Sequence, residues 1–161
     1  NQPCLHIPWM FNEAGRPSLT QKWVRAILNE FYGTDGIHGY GYGQDEDQGQ
    51  LGAWFVLSSM GLFDVQGGAC DNPTFQIGSP MFDRIEIKLN SKYAKGKTFV
   101  IETENNGKDS YYVQSAELNG KPLDNCWLYR RDFFKGGVLK LKMGQTPNYT
   151  WGISDVPYYG K

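Results

Sequence analysis

Three consecutive acids, Asp45-Glu46-Asp47, follow the alternating Gly39-Tyr40-Gly41-Tyr42-Gly43 and precede Gln48-Gly49-Gln50. Carboxylates can activate water, cap a helix or hold a hard cation. In an extended backbone Asp45 and Asp47 point to one side and Glu46 to the other. One acid is enough to cap the helix that follows, for about 0.3–1 kcal/mol. Three adjacent carboxylates oppose one another's ionisation, a cost that capping leaves unexplained. Two carboxylates on one side, framed by tyrosines, fit a sugar site in which one activates water for hydrolysis. Counted as an EF-hand from Asp45, the twelfth position is Val56 instead of Glu and the glycine comes one place early, which argues against that motif. A hard cation held by a few of these oxygens together with a ligand stays open.

A second polar cluster opens the chain, Asn1-Gln2-Pro3-Cys4-Leu5-His6-Ile7-Pro8-Trp9. A single imidazole such as His6 is more often a structural hydrogen-bonder than a catalyst. His6 and His38 are the only histidines, and the three cysteines, Cys4, Cys70 and Cys126, form no C-x-x-C, so a zinc ribbon or thioredoxin-type site is excluded. Asn148-Tyr149-Thr150 matches an N-glycosylation acceptor, a pattern that is common by chance.

The elements that must position these groups change character near residue 66. Before it, apolar residues recur at helical spacing. Ser18-Leu19-Thr20-Gln21 fits a capping box, and Trp23, Ile27, Leu28 and Phe31 then mark the core face of a helix ending near Gly33. A second, largely buried helix is expected from Gln48 or Gly49 to Met60, with Gly61 closing it. A shorter helical stretch is expected over 6–12, with Pro8 in its first turn. After residue 66 the period becomes two. Ile85, Ile87 and Leu89; Phe99 and Ile101; Tyr111, Val113 and Ser115; and Val138, Leu139, Leu141 and Met143 read as strands, with Asn119-Gly120 as a hairpin turn. Helices followed by strands give an α+β fold, with helices over 1–66 and an antiparallel β-sheet or sandwich of five to seven strands over 67–161. Two helices and a stub cannot cover Trp9, Trp23, Phe31, Trp54 and Phe55 alone. Those aromatics are expected to pack on the sheet or to belong to a larger helical array.

Composition removes several function classes. Sixteen Lys and Arg against 17 Asp and Glu give a net charge of −1, without the basic footprint of a nucleic-acid binder. The longest apolar run, about Ala53–Leu57, falls far short of the ~18 residues of a membrane span. The first residue is Asn, so the numbering is expected to begin inside a longer polypeptide or after processing.

Several motifs in this order carry a family resemblance. They are Asn1-Gln2-Pro3 with His6-Ile7-Pro8, Asn12-Glu13-Ala14-Gly15-Arg16-Pro17 with Thr20-Gln21, and Asp45-Glu46-Asp47-Gln48-Gly49-Gln50 with Ala53-Trp54. Ser59-Met60-Gly61, Ile77-Gly78-Ser79-Pro80 and Leu118-Asn119-Gly120-Lys121 complete them. From Asn1 to about Asn148 the chain resembles glycoside hydrolase family 92, the calcium-dependent, inverting exo-α-mannosidases found in many Bacteroides-type gut bacteria. The resemblance implies that 1–66 are the last helices of an (α/α)6 catalytic barrel and that 67–161 are its terminal strands. It also implies that Asp47 is the general base and Asp45 its companion acid. Asn1, Gln2, His6 and Gln50 would line the substrate, and Ca2+ would be required, with unassigned ligands lying mostly upstream. In an inverting site the general acid stands ~6.5–9.5 Å from the base, leaving room for water. The family's acid lies upstream of Asn1, so this chain alone is expected to be inactive. Gln2 stands where the family carries Glu, removing one negative charge beside substrate or cation. The implied partners are mannose-containing glycans, α-1,2-linked ones foremost, and the upstream domains of the parent. The implied location is secreted, periplasmic or cell-surface. A non-catalytic carbohydrate-binding module, with Tyr40, Tyr42 and Trp54 stacking on sugars, and a degenerate family member are the alternatives.

Overall fold

The computed structural model describes residues 4–32 and 49–155. A 3-10 turn, Ile7–Trp9, takes Pro8 in its first turn and leads into the short helix α1, Met10–Glu13. Helix α2 spans Pro17–Phe31 and α3 spans Gln50–Ser59. The strands are β1 (Leu62–Phe63), β2 (Thr74–Ile77), β3 (Arg84–Lys88), β4 (Thr98–Glu104), β5 (Tyr112–Leu118), β6 (Lys121–Pro122), β7 (Trp127–Tyr129) and β8 (Gly137–Gly144). The four-residue helix α4, Arg130–Phe133, separates the last two.

The α+β class holds. The strands form two sheets, ordered β1-β2-β7 and β3-β4-β8-β5-β6. All pairings are antiparallel except β4 with β8, because β8 enters between β4 and β5 and runs with the first and against the second. Both sheets share one core. Leu62, Ile77 and Leu128 of the small sheet meet Phe99, Ile101, Val113, Leu139, Leu141 and Met143 of the large one. Fully burying side chains of this size contributes about 1.5–3 kcal/mol each. Asn119 and Gly120 both adopt positive φ, 54° and 75°, closing the β5–β6 hairpin as the sequence leads one to expect. Strand β1 precedes Gln66, so the segment before the change of period already contributes to the small sheet through Leu62 and Phe63.

Four local expectations fail for identifiable reasons. First, α2 begins on Pro17, whose missing N–H suits the first helical position, and its N-cap is Arg16 without a side-chain cap bond. Ser18 lies inside the helix, and the Gln21 amide oxygen accepts the N–H of Val113 at 3.1 Å instead of completing a capping box. Second, α2 is rotated relative to its apolar spacing. Its buried residues are Pro17, Ser18, Thr20, Gln21, Val24, Arg25 and Leu28, while Trp23 and Phe31 are 46% and 45% exposed. Third, α3 is not largely buried, since Phe55 and Val56 are exposed beside buried Leu51 and Trp54. Fourth, a bulge between Val113 and Ser115 shifts the inward face of β5, so that Ala116 is buried and Ser115 exposed.

The helices attach to the sheets largely through polar groups. The Asn12 amide donates to the carbonyls of Ile77 (3.1 Å) and Cys126 (3.3 Å). Arg25 donates to the carbonyls of Pro80 and Gly107, and the Gln76 amide donates to Glu13. Among the described residues no carboxylate pairs with Arg25, and burial holds its guanidinium pKa below the ordinary arginine value. Trp9, fully buried, lies over Gly78, where an added Cβ would stand 2.7 Å from the ring, and stacks on Phe63 with centroids 5.4 Å apart.

Candidate functional site

Of the residues singled out for chemistry, His6 and Gln50 lie among those described. Asp45, Asp47, Asn1 and Gln2 lie outside them, as do Glu46, Tyr40 and Tyr42. His6 is exposed and opens the 3-10 turn, its carbonyl accepting the N–H of Trp9 at 3.0 Å and of Met10 at 3.2 Å. Gln50 is exposed at the first position of α3. Gly49 before it adopts φ 71°, a conformation glycine reaches without the strain a side chain adds.

Two hydrogen bonds tie down the flanks of residues 33–48, one to the N-terminal stretch and one between the flanks themselves. The Trp54 indole N–H, one turn into α3 from Gln50, donates to the Leu5 carbonyl at 2.8 Å, next to His6. The Tyr32 hydroxyl donates to the Leu51 carbonyl at 3.3 Å, tying the end of α2 to the start of α3. Tyr32 also stacks on Trp54, with centroids 5.5 Å apart and planes 17° apart. Around these contacts lies an apolar groove of about 200 Å³, lined by Leu5, Pro8, Ile27, Phe31, Tyr32 and Trp54. Trp54 is 2% exposed and covered by Tyr32, so it is a structural pin and offers no face for a sugar to stack on. Periodicity alone cannot separate those two uses of a tryptophan. The framing role of Tyr32, absent from the sequence reading, has no local signal because it depends on a carbonyl 19 positions away.

The described part of the site is a frame. Among the described residues no three His, Cys, Asp or Glu side chains come together as a metal cluster. The Asn148 glycosylation motif has a structural use. The Asn148 amide donates to the Gln114 carbonyl at 2.8 Å, and its side-chain oxygen accepts from the N–H of Thr150, the Thr150 hydroxyl and the N–H of Trp151. Among the described residues no helix is long and apolar enough to cross a membrane.

A family model described as the glycosyl hydrolase family 92 catalytic domain matches residues 1–145. The chain belongs to glycosyl hydrolase family 92. Solved structures in this family superimpose on nearly all of it. A family GH92 α-mannosidase from Bacteroides thetaiotaomicron is 29% identical with a TM-score of 0.83, covering 96% of this chain and 19% of its own. A family GH92 inverting mannosidase from Bacteroides thetaiotaomicron VPI-5482 is 34% identical with a TM-score of 0.84, covering 98% of this chain and 20% of its own. An uncharacterized secreted glycosidase of Arthroderma benhamiae is 29% identical over 163 residues, 98% of this chain and 20% of the relative. The family 92 chain thus spans about a fifth of the length of the relatives it matches.

Proposed function

We propose that this chain is the C-terminal portion of an inverting, calcium-dependent exo-α-mannosidase acting on α-mannosides of glycans, with α-1,2-linked mannosides as the expected substrates. Asp47 is the general base that takes a proton from the attacking water, and Asp45 is its companion acid. Asn1, Gln2, His6 and Gln50 contact the sugar. The general acid belongs to the upstream part of the whole protein, as do most calcium ligands.

The observation that carries this reading is the frame. Trp54 on Leu5 ties α3, which opens on Gln50, to the stretch that carries His6, and Tyr32 on Leu51 joins the residues on either side of the segment holding Asp45 and Asp47. Family membership supplies the chemistry, and one structural relative is described as an inverting mannosidase. Another is described in complex with mannoimidazole. The secreted fungal relative supports export, where glycans are met.

The test is proton NMR of an α-mannobiose digest by the full-length protein with calcium, followed from the first minutes. β-Mannose appearing before mutarotation supports inversion; α-mannose appearing first overturns the role of Asp47 as water-activating base. Asp47→Asn in the full-length protein is expected to lower kcat about 10²–10⁴-fold while leaving substrate affinity largely intact. Turnover by the 161-residue chain alone would overturn its expected incompleteness.

A further inference from the structure

The surface between the β2 entry and α4 carries a second cleft, of about 330 Å³, lined by Asp71, Asn72, Tyr129, Arg130, Arg131 and Phe134 together with Pro73. It shares no residue with the groove beside α3. Ligand pockets begin at roughly 300 Å³, so its size suits a single small ring.

Both guanidinium groups here are held in place. Arg130 pairs with Asp64 at 3.4 Å, and its guanidinium carbon lies 5.4 Å from the Phe75 ring and 5.7 Å from Phe134. Gly68 makes room for it, because an added Cβ there would stand 2.7 Å from the Arg130 guanidinium nitrogen. Arg131 lies 4.0 Å over the Tyr129 ring and donates to the Asn72 side-chain oxygen at 2.8 Å. Among the described residues Arg131 has no carboxylate partner, so most of its donors face the cleft and solvent. Prior fixation of both side chains lowers the ordering cost of binding a ligand.

Donor and acceptor content selects the ligand class. Arg130 is already neutralised by Asp64, and Asp71 on the cleft wall repels a negative charge, so an anion gains little. A neutral polyhydroxylated ring needs both kinds of partner at once. Arg131 donates to hydroxyl oxygens, Asp71 accepts hydrogen bonds from hydroxyls, and Pro73 supplies apolar wall together with the ring edges of Tyr129 and Phe134, each of which has one face covered by an arginine. The geometry points to a non-catalytic hexose-binding site in this cleft, which holds an outlying sugar of the same glycan that the enzyme trims. This identification of the ligand rests on the mannosidase reading above.

The test measures kcat and KM in the full-length protein for α-mannobiose and for a branched mannan oligosaccharide long enough to reach a second site. Arg131→Ala and Asn72→Ala are compared with wild type. Arg131 is exposed, and unchanged thermal melting shows that the variants fold. The expected result is a KM for the branched oligosaccharide raised about tenfold to a hundredfold, the worth of one charged hydrogen bond, with kcat and the α-mannobiose KM unchanged. No rise on the branched substrate, or an equal rise on both, overturns the site. If the full-length protein releases mannose from neither substrate, the mannosidase reading fails and the cleft is tested separately. Saturation-transfer NMR with methyl α-mannopyranoside then decides: a signal reduced by Arg131→Ala keeps the site, and an unchanged signal overturns it.

Discussion

Phe99, Ile101, Leu139 and Leu141, each at most 1% exposed, close the sheet interior as apolar surface meeting apolar surface. Helix α2 is mixed, turning Ser18, Thr20, Gln21 and Arg25 inward beside Val24 and Leu28 while Trp23 and Phe31 stand nearly half exposed. The sheet region therefore gains stability from area removed from water, which is insensitive to direction. The helical region adds to its smaller apolar cluster of Leu5, Trp9, Val24, Leu28, Leu51 and Trp54 a set of bonds between Asn12, Gln21 and Arg25 and named backbone groups, which have direction and register. Such an arrangement places helices accurately relative to sheets. It also leaves the apolar stripe of α2 free to face outward, as expected if that stripe packs on further helices in the whole protein.

The largest expected effect sharpens the sheet side. Phe99→Ala removes a fully buried ring that meets Phe133 at 4.3 Å between centroids, and should cost about 3–5 kcal/mol in urea denaturation. On the helical side, Gln21→Leu keeps the volume but leaves the Val113 N–H without its acceptor. A loss of about 1–3 kcal/mol is expected; a neutral result would break the contrast, showing that α2 is held by area after all. Smaller still is Trp23→Gln, expected to change stability by under about 0.5 kcal/mol because the side chain is half exposed. Light scattering should show the accompanying fall in self-association.

Alkaline titration probes the seam between the regions. Burial pushes the Cys126 thiol up to about 12 from an ordinary value of 9.0. The folded state therefore favours the neutral thiol. Its contribution is fully present below pH 9 and is lost as pH rises from about 9 towards 12. Cys126→Ala should flatten the fall of stability in that window, measured by denaturation at a series of pH values. Thiol labelling of the folded chain should reach exposed Cys4 first and buried Cys126 last.

The same contrast explains what the sequence discloses. Strands β3, β4 and β8 are legible because alternating Ile, Phe and Leu reflect apolar packing, and the Asn119-Gly120 turn because its conformation demands those residues. The inward face of α2 is not legible. Its inner residues are chosen for partners such as Val113 and Pro80, far along the chain, and outward Trp23 and Phe31 imitate a core stripe. The bulge that turns Ala116 inward leaves no mark in the alternation before it. At the candidate site, the acidic run is conspicuous by residue type. The pinning by Tyr32 and Trp54 is not, since a buried aromatic looks alike whether it fills space or donates a hydrogen bond.

The Tyr32–Leu51 bond joins residues 19 positions apart and so closes a chain segment at a fixed mouth. The entropy of closing such a segment grows only logarithmically with its length, about 0.6 kcal/mol for each doubling. A change of length between these anchors therefore costs little in closure entropy, so it is the side-chain chemistry proposed for Asp45 and Asp47, and not the closing of the loop, that limits what this segment can become.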